Sequence, residues 1–480
     1  MNQPASDLSK PDYDRTRLRP RLFHLGLGAF AKAHVLVFHD EMLRQTGSDW
    51  GVVAARLHSG AKDLTLLDEA SGLFAVGEMS GEDLALRQVG AILKTLHPQR
   101  DGMATLLAQI ADPELAVITL TITEKGYCLK NGDLDLDHDG IRQDLSSPDT
   151  PTTAIGLIAQ GLRLRQAAGL PGLTILSCDN LPSNGHLCQK AVSSYAAQLD
   201  PVLAKWIAET CRFPSSMVDR ITPAMTEASH HQLSEALGHP DPNGILCEPF
   251  RQWVVEDAFA GDKPAWDLAG AEFVEDVAPY EELKLRLLNG SHSFLAYLGA
   301  LAGFDTIAEC MNSPVLKASA RRLMLDEQAP TLKVPAGVDV NRYADALIAR
   351  YANTALHHKT TQIASDGSQK LPQRLLASVC NHLQAGRSWP LTALAIAGWM
   401  HYCRGHTEDG TALPLNDPLA DQIAALAARS EGRDFVDGIL SLHEVFDADL
   451  PETPGFAETI HSAYELLQAH GVLASLSEIN

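Results

Sequence analysis

The residues best suited to chemistry lie in Lys284-Leu-Arg-Leu-Leu-Asn289-Gly-Ser-His292, with Glu281 just upstream. At about 100° per residue of α-helix, Lys284, Glu281, His292 and Asn289 fall at roughly 0°, 60°, 80° and 140°, so all four share one side. Leu283, Leu287, Phe294 and Leu298 fall at roughly 260–320°, on the other side. Such a helix is oriented to line a polar cleft. Oxidising an alcohol needs a base for the hydroxyl proton and donors for the developing alkoxide. A partly buried lysine with a depressed pKa can be the base, and carboxamide N–H groups can be the donors. Glu281 opposes the depression, because a nearby carboxylate raises a lysine pKa, so either burial dominates or Glu281 is screened or protonated during the cycle. Gly290 is unfavourable inside a helix by about 1 kcal/mol relative to Ala. Its presence points to close approach of another backbone or of a ligand. Taken alone, the segment also fits a solvated Lys/Glu face.

Other segments shift that balance. Ser177-Cys178-Asp179-Asn180 ends a β-branched run and places Asn180 at the carboxyl end of a parallel strand, where ligands bind in open α/β sheets. Plain turn formers ahead of a helix would look similar. Thr123, Glu124 and Lys125 follow another strand in the same way. Gly26-Leu27-Gly28-Ala29-Phe30-Ala31 fits G-x-G-x-x-A between a strand and a helix. There the first glycine permits a tight turn, the second admits a pyrophosphate, and the helix N-terminus adds positive dipole. A nicotinamide dinucleotide is therefore expected on Gly26, Gly28, Ala29, Phe30, Thr123, Glu124 and Lys125. After the second strand, Asp63 could hold a ribose, while Arg56, Ser59 and Lys62 could instead hold a 2′-phosphate. NAD is the expected cofactor, with NADP the open alternative.

The elements that must position these residues change character along the chain. Strand signals at residues 22–25, 51–57, 115–122 and 173–177 alternate with helical stretches, one from the break at Gly26 through about Leu43 and others near 154–168 and 186–198. Alternation of this kind implies a doubly wound, mostly parallel Rossmann-type sheet. After a strand-like stretch at 272–277 the pattern is nearly all helical, over 281–301, 314–326, 342–353, 371–384, 390–403, 419–430 and 455–470. The expected division is an α/β dinucleotide-binding domain over 1–278 and an all-helical substrate-binding and catalytic domain over 279–480.

The 480 residues carry a net charge of −22, with 45% hydrophobic and 20% charged side chains. So acidic a surface repels nucleic acid and anionic lipid, and an anionic substrate must meet a local cluster of positive charge. No signal peptide or membrane span is evident, and the eight cysteines form no C-x-x-C pair. Nor do the 19 histidines form an H-E-x-x-H cluster. A cytoplasmic, metal-free protein is expected, acting as a monomer or weak oligomer.

With HLGLGAF, TITEKGY, SCDN, MVDRITP, CEPFRQWVVED, KLRLLNGSHSFLAYLG and DGSQKLPQR in this order, the chain resembles the polyol-specific long-chain dehydrogenases, or mannitol dehydrogenase family. The resemblance spans about residues 20 to 470, and Lys-x4-Asn-x2-His is its most specific part. It implies Lys284 as the acid/base, Asn180 and Asn289 as alkoxide-stabilising amides, His292 as a substrate contact and Glu281 as a proton relay. It also brings Asp219 close to the substrate. Two departures stand out. Ala31-Lys32 replaces a common His-Arg, which loosens the cofactor-loop assignment. Gln362 replaces an arginine of sugar-alcohol members, which favours a sugar acid. The implied reaction is NAD-linked interconversion of D-fructuronate and D-mannonate, with mannitol, arabinitol or tagaturonate chemistry as the alternative; a non-catalytic NAD-binding redox sensor would keep the glycine turn and lose the lysine constellation, which is present here. For the substrate carboxylate the first candidate is Arg251, its guanidinium held by Phe250 and Trp253, followed by Lys370 and Arg374. Pairing of Arg251 with Glu248 or Asp257 is the competing expectation.

Overall fold

The computed structural model of the protein describes residues 8–479. The chain forms two compact units, Met1–Ala278 and Pro279–Asn480.

In the first unit, strands β1 (Arg19–Leu25), β2 (Trp50–Ala55), β3 (Ile92–Leu96), β4 (Val117–Leu120) and β5 (Thr174–Ser177) form one sheet in the order β3-β2-β1-β4-β5. Every pair is parallel. The period-2 alternation of a strand sends Leu22, Val52, Ala54 and Val117 into one core. Their neighbours Phe23, Val53, Ala55 and Ile118 enter a second core. The sheet is therefore covered on both faces, which explains its continuous apolar runs. Strand order reverses at β1, so the crevice for a ligand opens at the carboxyl ends of β1 and β4. Two smaller three-stranded sheets complete the unit. One joins Ser216–Asp219, Gln252–Glu256 and Glu272–Val274, and the other joins Ile245–Cys247, Phe74–Ser80 and Asp83–Val89.

The single helical stretch expected after Gly26 through about Leu43 is two helices, Ala29–Ala33 and Val35–Thr46. The break falls at His34, whose φ of −118° and ψ of −80° leave the helical region. Its Nε2 donates to the Gln252 carbonyl at 2.8 Å.

The second unit is helical. Ser291–Leu301 and Pro390–Tyr402 pack together at its core, and Phe456–Ile479 packs on the latter. Residues 281–301 are not one α-helix, as the apolar pattern suggests. An α-turn over Ala278–Leu283 gives way to a π-helix over Lys284–Gly290, and α geometry resumes at Ser291. Two further π segments, Leu323–Gln328 and Pro372–Leu376, pack against it. Among the described residues no helix is long and apolar enough to cross a membrane. All eight cysteines are free thiols.

Candidate functional site

The turn after β1 can only be glycine. Gly26 has φ of 99°, and a Cβ there would lie 2.2 Å from the Thr121 carbonyl oxygen. A Cβ on Gly28 would meet nothing nearer than the Gly26 oxygen at 3.7 Å, so this backbone is open to a ligand. Both glycines line a cavity of about 490 Å3 together with Arg56, Ser59, Thr123 and Lys125. That size suits a ligand cleft, and its open glycine backbone fits a pyrophosphate.

The remaining cofactor candidates lie off the cavity wall. Ala29 begins the following helix, and Phe30 stacks on His34 with centroids 4.8 Å apart. Glu124 is exposed in the short helix Thr123–Gly126. Asp63 sits in the helix Ala61–Glu69 and pairs with Arg56 at 3.2 Å. Arg56 also donates through Nε to the Leu27 carbonyl. Lys32, at one of the sequence departures, is buried and donates to Asn243 Oδ1 at 2.8 Å. Burial, with help from Arg56, pushes it down to about 8.

Asn180 is exposed just past the end of β5, and its neighbour Asp179 is buried. One Asp179 oxygen accepts from the Thr123 N–H at 2.8 Å. The other accepts from the Ile122 N–H at 3.1 Å and the Tyr127 hydroxyl at 2.7 Å. Asp219 is buried at the end of its strand, opposite Gln252.

Arg251 has an aromatic partner from elsewhere in the chain. Its guanidinium lies over Phe38, 4.8 Å from the ring centroid. Trp253 packs on Trp266, with centroids 4.4 Å apart. Glu248 accepts from the Ile221 N–H at 2.6 Å, and Asp257 pairs with Lys263 at 2.7 Å. Burial and the nearby Arg87 and Arg220 hold Arg251 below the usual arginine range.

In the second unit the π geometry alters the side-chain phase. An α-helix sets residues five apart about 140° from each other. A backbone bonded i to i+5 turns them toward one face, and Lys284 and Asn289 are five apart. Lys284 is buried, Asn289 half-buried and Glu281 half-buried. Side-chain hydroxyls satisfy carbonyls of the wide turn. Ser291 Oγ donates to the Leu287 carbonyl, and the Tyr351 hydroxyl donates to the Leu288 carbonyl at 2.8 Å. Gly290 meets another backbone, as its place in a helix suggested, because a Cβ would sit 3.0 Å from the Arg374 carbonyl oxygen.

His292 is buried, stacked on Tyr351 at 5.2 Å and tilted against His358 at 5.2 Å. Burial, then His358, Arg374, Arg350 and Lys370, hold it well below the usual histidine range. It is therefore neutral at pH 7. Arg374 donates to Ser293 Oγ at 3.0 Å and approaches the Asn289 carbonyl at 3.5 Å. Lys370 donates to the Ile363 carbonyl at 3.1 Å and to that of Ser365. Burial and Arg374 push it down to about 8. The structure thus gathers His292, Lys370, Arg374 and Asn289, and adds Arg350, Tyr351 and His358. His357-His358 is an adjacent pair in the sequence. It follows the short 3-10 turn Thr354–Leu356, with His357 at φ of 45°.

Among the described residues no three His, Cys, Asp or Glu side chains are grouped so as to hold a metal ion.

Comparison with known proteins agrees with this architecture. Residues 20–268 match the mannitol dehydrogenase Rossmann domain, and residues 276–468 match the mannitol dehydrogenase C-terminal domain. The chain is 47% identical over 471 residues to an uncharacterised oxidoreductase, YdfI, of Escherichia coli (strain K12), covering 98% of this chain and 97% of that one. It is 45% identical over 469 residues to the D-mannonate oxidoreductase of the same organism, covering 97% and 96%. Among solved structures, the Pseudomonas fluorescens mannitol 2-dehydrogenase in ternary complex with NAD and D-mannitol matches with a TM-score of 0.84 at 34% identity, covering 99% and 97%. The chain belongs to the mannitol dehydrogenase family and is an oxidoreductase.

Proposed function

We propose that the protein interconverts D-fructuronate and D-mannonate, with NAD bound by the first unit and the substrate carboxylate by the second. The observation that carries the reading is the gathering of Arg350, Lys370, Arg374 and His358 around a neutral His292, in a chain of net charge −22. A carboxylate substrate calls for such a cluster, and a D-mannonate oxidoreductase is 45% identical. The open backbone at Gly28 supports a dinucleotide, and a relative at 34% identity binds NAD. When bound, NAD supplies the hydride chemistry.

The chain's own residues do the rest. In the reduction direction Lys284, as ammonium, gives a proton to the C5 ketone oxygen, while the Asn289 and Asn180 amides donate hydrogen bonds to that oxygen. Glu281 passes protons between Lys284 and water. Neutral His292 hydrogen-bonds a substrate hydroxyl, and Asp219 takes another. Lys370 and Arg374 hold the carboxylate. Eight free cysteines suit the cytoplasm, and we expect a monomer or weak oligomer.

The test is a kcat/KM panel of D-fructuronate, D-tagaturonate and D-fructose with NADH and NADPH. D-Fructuronate with NADH should lead by tenfold or more, the worth of one charge-assisted contact of about 1.5–3 kcal/mol. A lead for D-fructose would overturn the sugar-acid reading in favour of a polyol enzyme.

A further inference from the structure

Asp179 joins two segments that lie 56 residues apart in the chain. Three donors converge on its carboxylate: the N–H groups of Ile122 and Thr123 and the Tyr127 hydroxyl. Tyr127 is itself buried, and its hydroxyl is 2.6 Å from Ser177 Oγ. The Asp179 carbonyl accepts from Asn184 Nδ2 at 2.9 Å, and the same amide donates to the Ser216 carbonyl at 2.8 Å. The chain on each side of Asn180 is therefore fixed, by Asp179 before it and Asn184 after it.

The other end of this link is strained. Thr123 has φ of 63°. A β-branched residue in the left-handed region costs about 1–3 kcal/mol and persists only where its surroundings over-determine it. The bond from its N–H to Asp179 is such a constraint. Thr123, Lys125 and Gly126 line the glycine-turn cavity. Only an ionised carboxylate offers acceptors to all three donors and no donor of its own. An amide would turn an NH2 group toward them.

We infer that Asp179 is a positioning residue for the reaction, holding the Asn180 carboxamide in register with the loop that walls the cofactor cleft. This rests on the reading of Asn180 as a donor to the reacting oxygen. The Asp179 carboxylate is buried and faces three protein donors. It acts through Asn180.

Non-additivity tests the inference, measured as kcat at saturating substrate and NADH, with a thermal melt of each variant. Asn180→Ala should lower kcat by about 10²–10³-fold, as loss of an oxyanion donor does. Asp179→Asn should lower kcat by about tenfold or more, yet add less than about twofold to Asn180→Ala, because residues acting as one unit do not add. If Asp179→Asn fails to fold, Tyr127→Phe removes one donor and keeps both backbone bonds. It should lower kcat severalfold in the native background and not at all in Asn180→Ala. Multiplicative effects would overturn the positioning role while leaving Asn180 in place. Full activity of Asn180→Ala would instead overturn the catalytic reading of Asn180, and this inference with it.

Discussion

A β-carbon on Gly290 would lie 3.0 Å from the carbonyl oxygen of Arg374. The constraint is one of space, since Gly290 has an ordinary helical φ of −64°. Alanine there gains about 1 kcal/mol of helix propensity and loses about 1–3 kcal/mol to overpacking. Gly290→Ala should therefore melt within a few degrees of the native protein. Its kcat should fall by about tenfold or more, because displacing the π segment misplaces Lys284 and Asn289. Full activity in a steady-state assay would show that the two segments yield without consequence.

Removal of the lysine should be far more damaging. Lys284→Ala is expected to lower kcat by about 10²–10⁴-fold, the range for a positioned acid/base, with NADH affinity from fluorescence titration nearly unchanged. A variant within tenfold of the native rate would contradict the assignment. Prolonged chelation should leave the native rate unchanged. Loss with recovery on adding zinc would replace the lysine with a Lewis acid.

Lys370 should give substrate binding a pH limit. Burial holds its ammonium at about 8. Below that pH the group is charged and attracts a carboxylate, and above it the charge is lost. KM for D-fructuronate should rise as the pH passes about 8, while KM for neutral D-fructose stays level. Lys370→Gln should raise KM for the sugar acid at low pH and flatten the profile. A rise that persists in Lys370→Gln would assign it to another group.

Arg374 and Arg251 can be separated by the same pair of substrates. Arg374→Gln should reduce the preference for D-fructuronate over D-fructose by tenfold or more, the worth of a charge-assisted contact of about 1.5–3 kcal/mol. Comparison with the ketose cancels any shift of Asn289, whose carbonyl Arg374 approaches. Arg251→Gln, on a guanidinium lying over Phe38, should change the preference little. The reverse result would move the carboxylate contact to Arg251.

Asp63 should govern cofactor choice through Arg56. The two are paired at 3.2 Å, and Arg56 lines the cavity while Asp63 does not. Asp63→Asn releases a guanidinium suited to a 2′-phosphate, so kcat/KM for NADPH should rise severalfold relative to NADH. No change would mean that Arg56 is held by the Leu27 carbonyl alone.

Much of this was legible in the sequence because it is local. The glycine turn, the β-branched strands and the Lys-x4-Asn-x2-His spacing each act within a few residues. What escaped depends on distant partners or on backbone geometry. TITEKGY and SCDN read as two separate loops, because nothing local shows that Asp179 binds Thr123 and Tyr127. Arg251 reads against its sequence neighbours Phe250 and Trp253, and nothing local shows that Phe38, from the first helical pair, lies beneath it. Asp63 reads as a ribose ligand from its place after the second strand, and its pairing with Arg56 depends on how the chain folds. The π turn is hidden because apolar spacing was read at the α period, which set Asn289 too far around the helix from Lys284.

That turn also bears on which changes of chain length the enzyme tolerates. A π segment accommodates one residue more than an α-helix needs for the same turns. Deleting one residue between Lys284 and Asn289 would let α hydrogen bonding close through the gap. The flanking stretches Ala278–Leu283 and Ser291–Leu301 would keep their phase and their packing. Lys284 and Asn289 would then stand four apart, about 40° around an α-helix, and would still share a face. In this fold, then, the pair keeps its register through a single-codon deletion, and what such a change removes is the wide turn whose carbonyls Ser291 and Tyr351 hold.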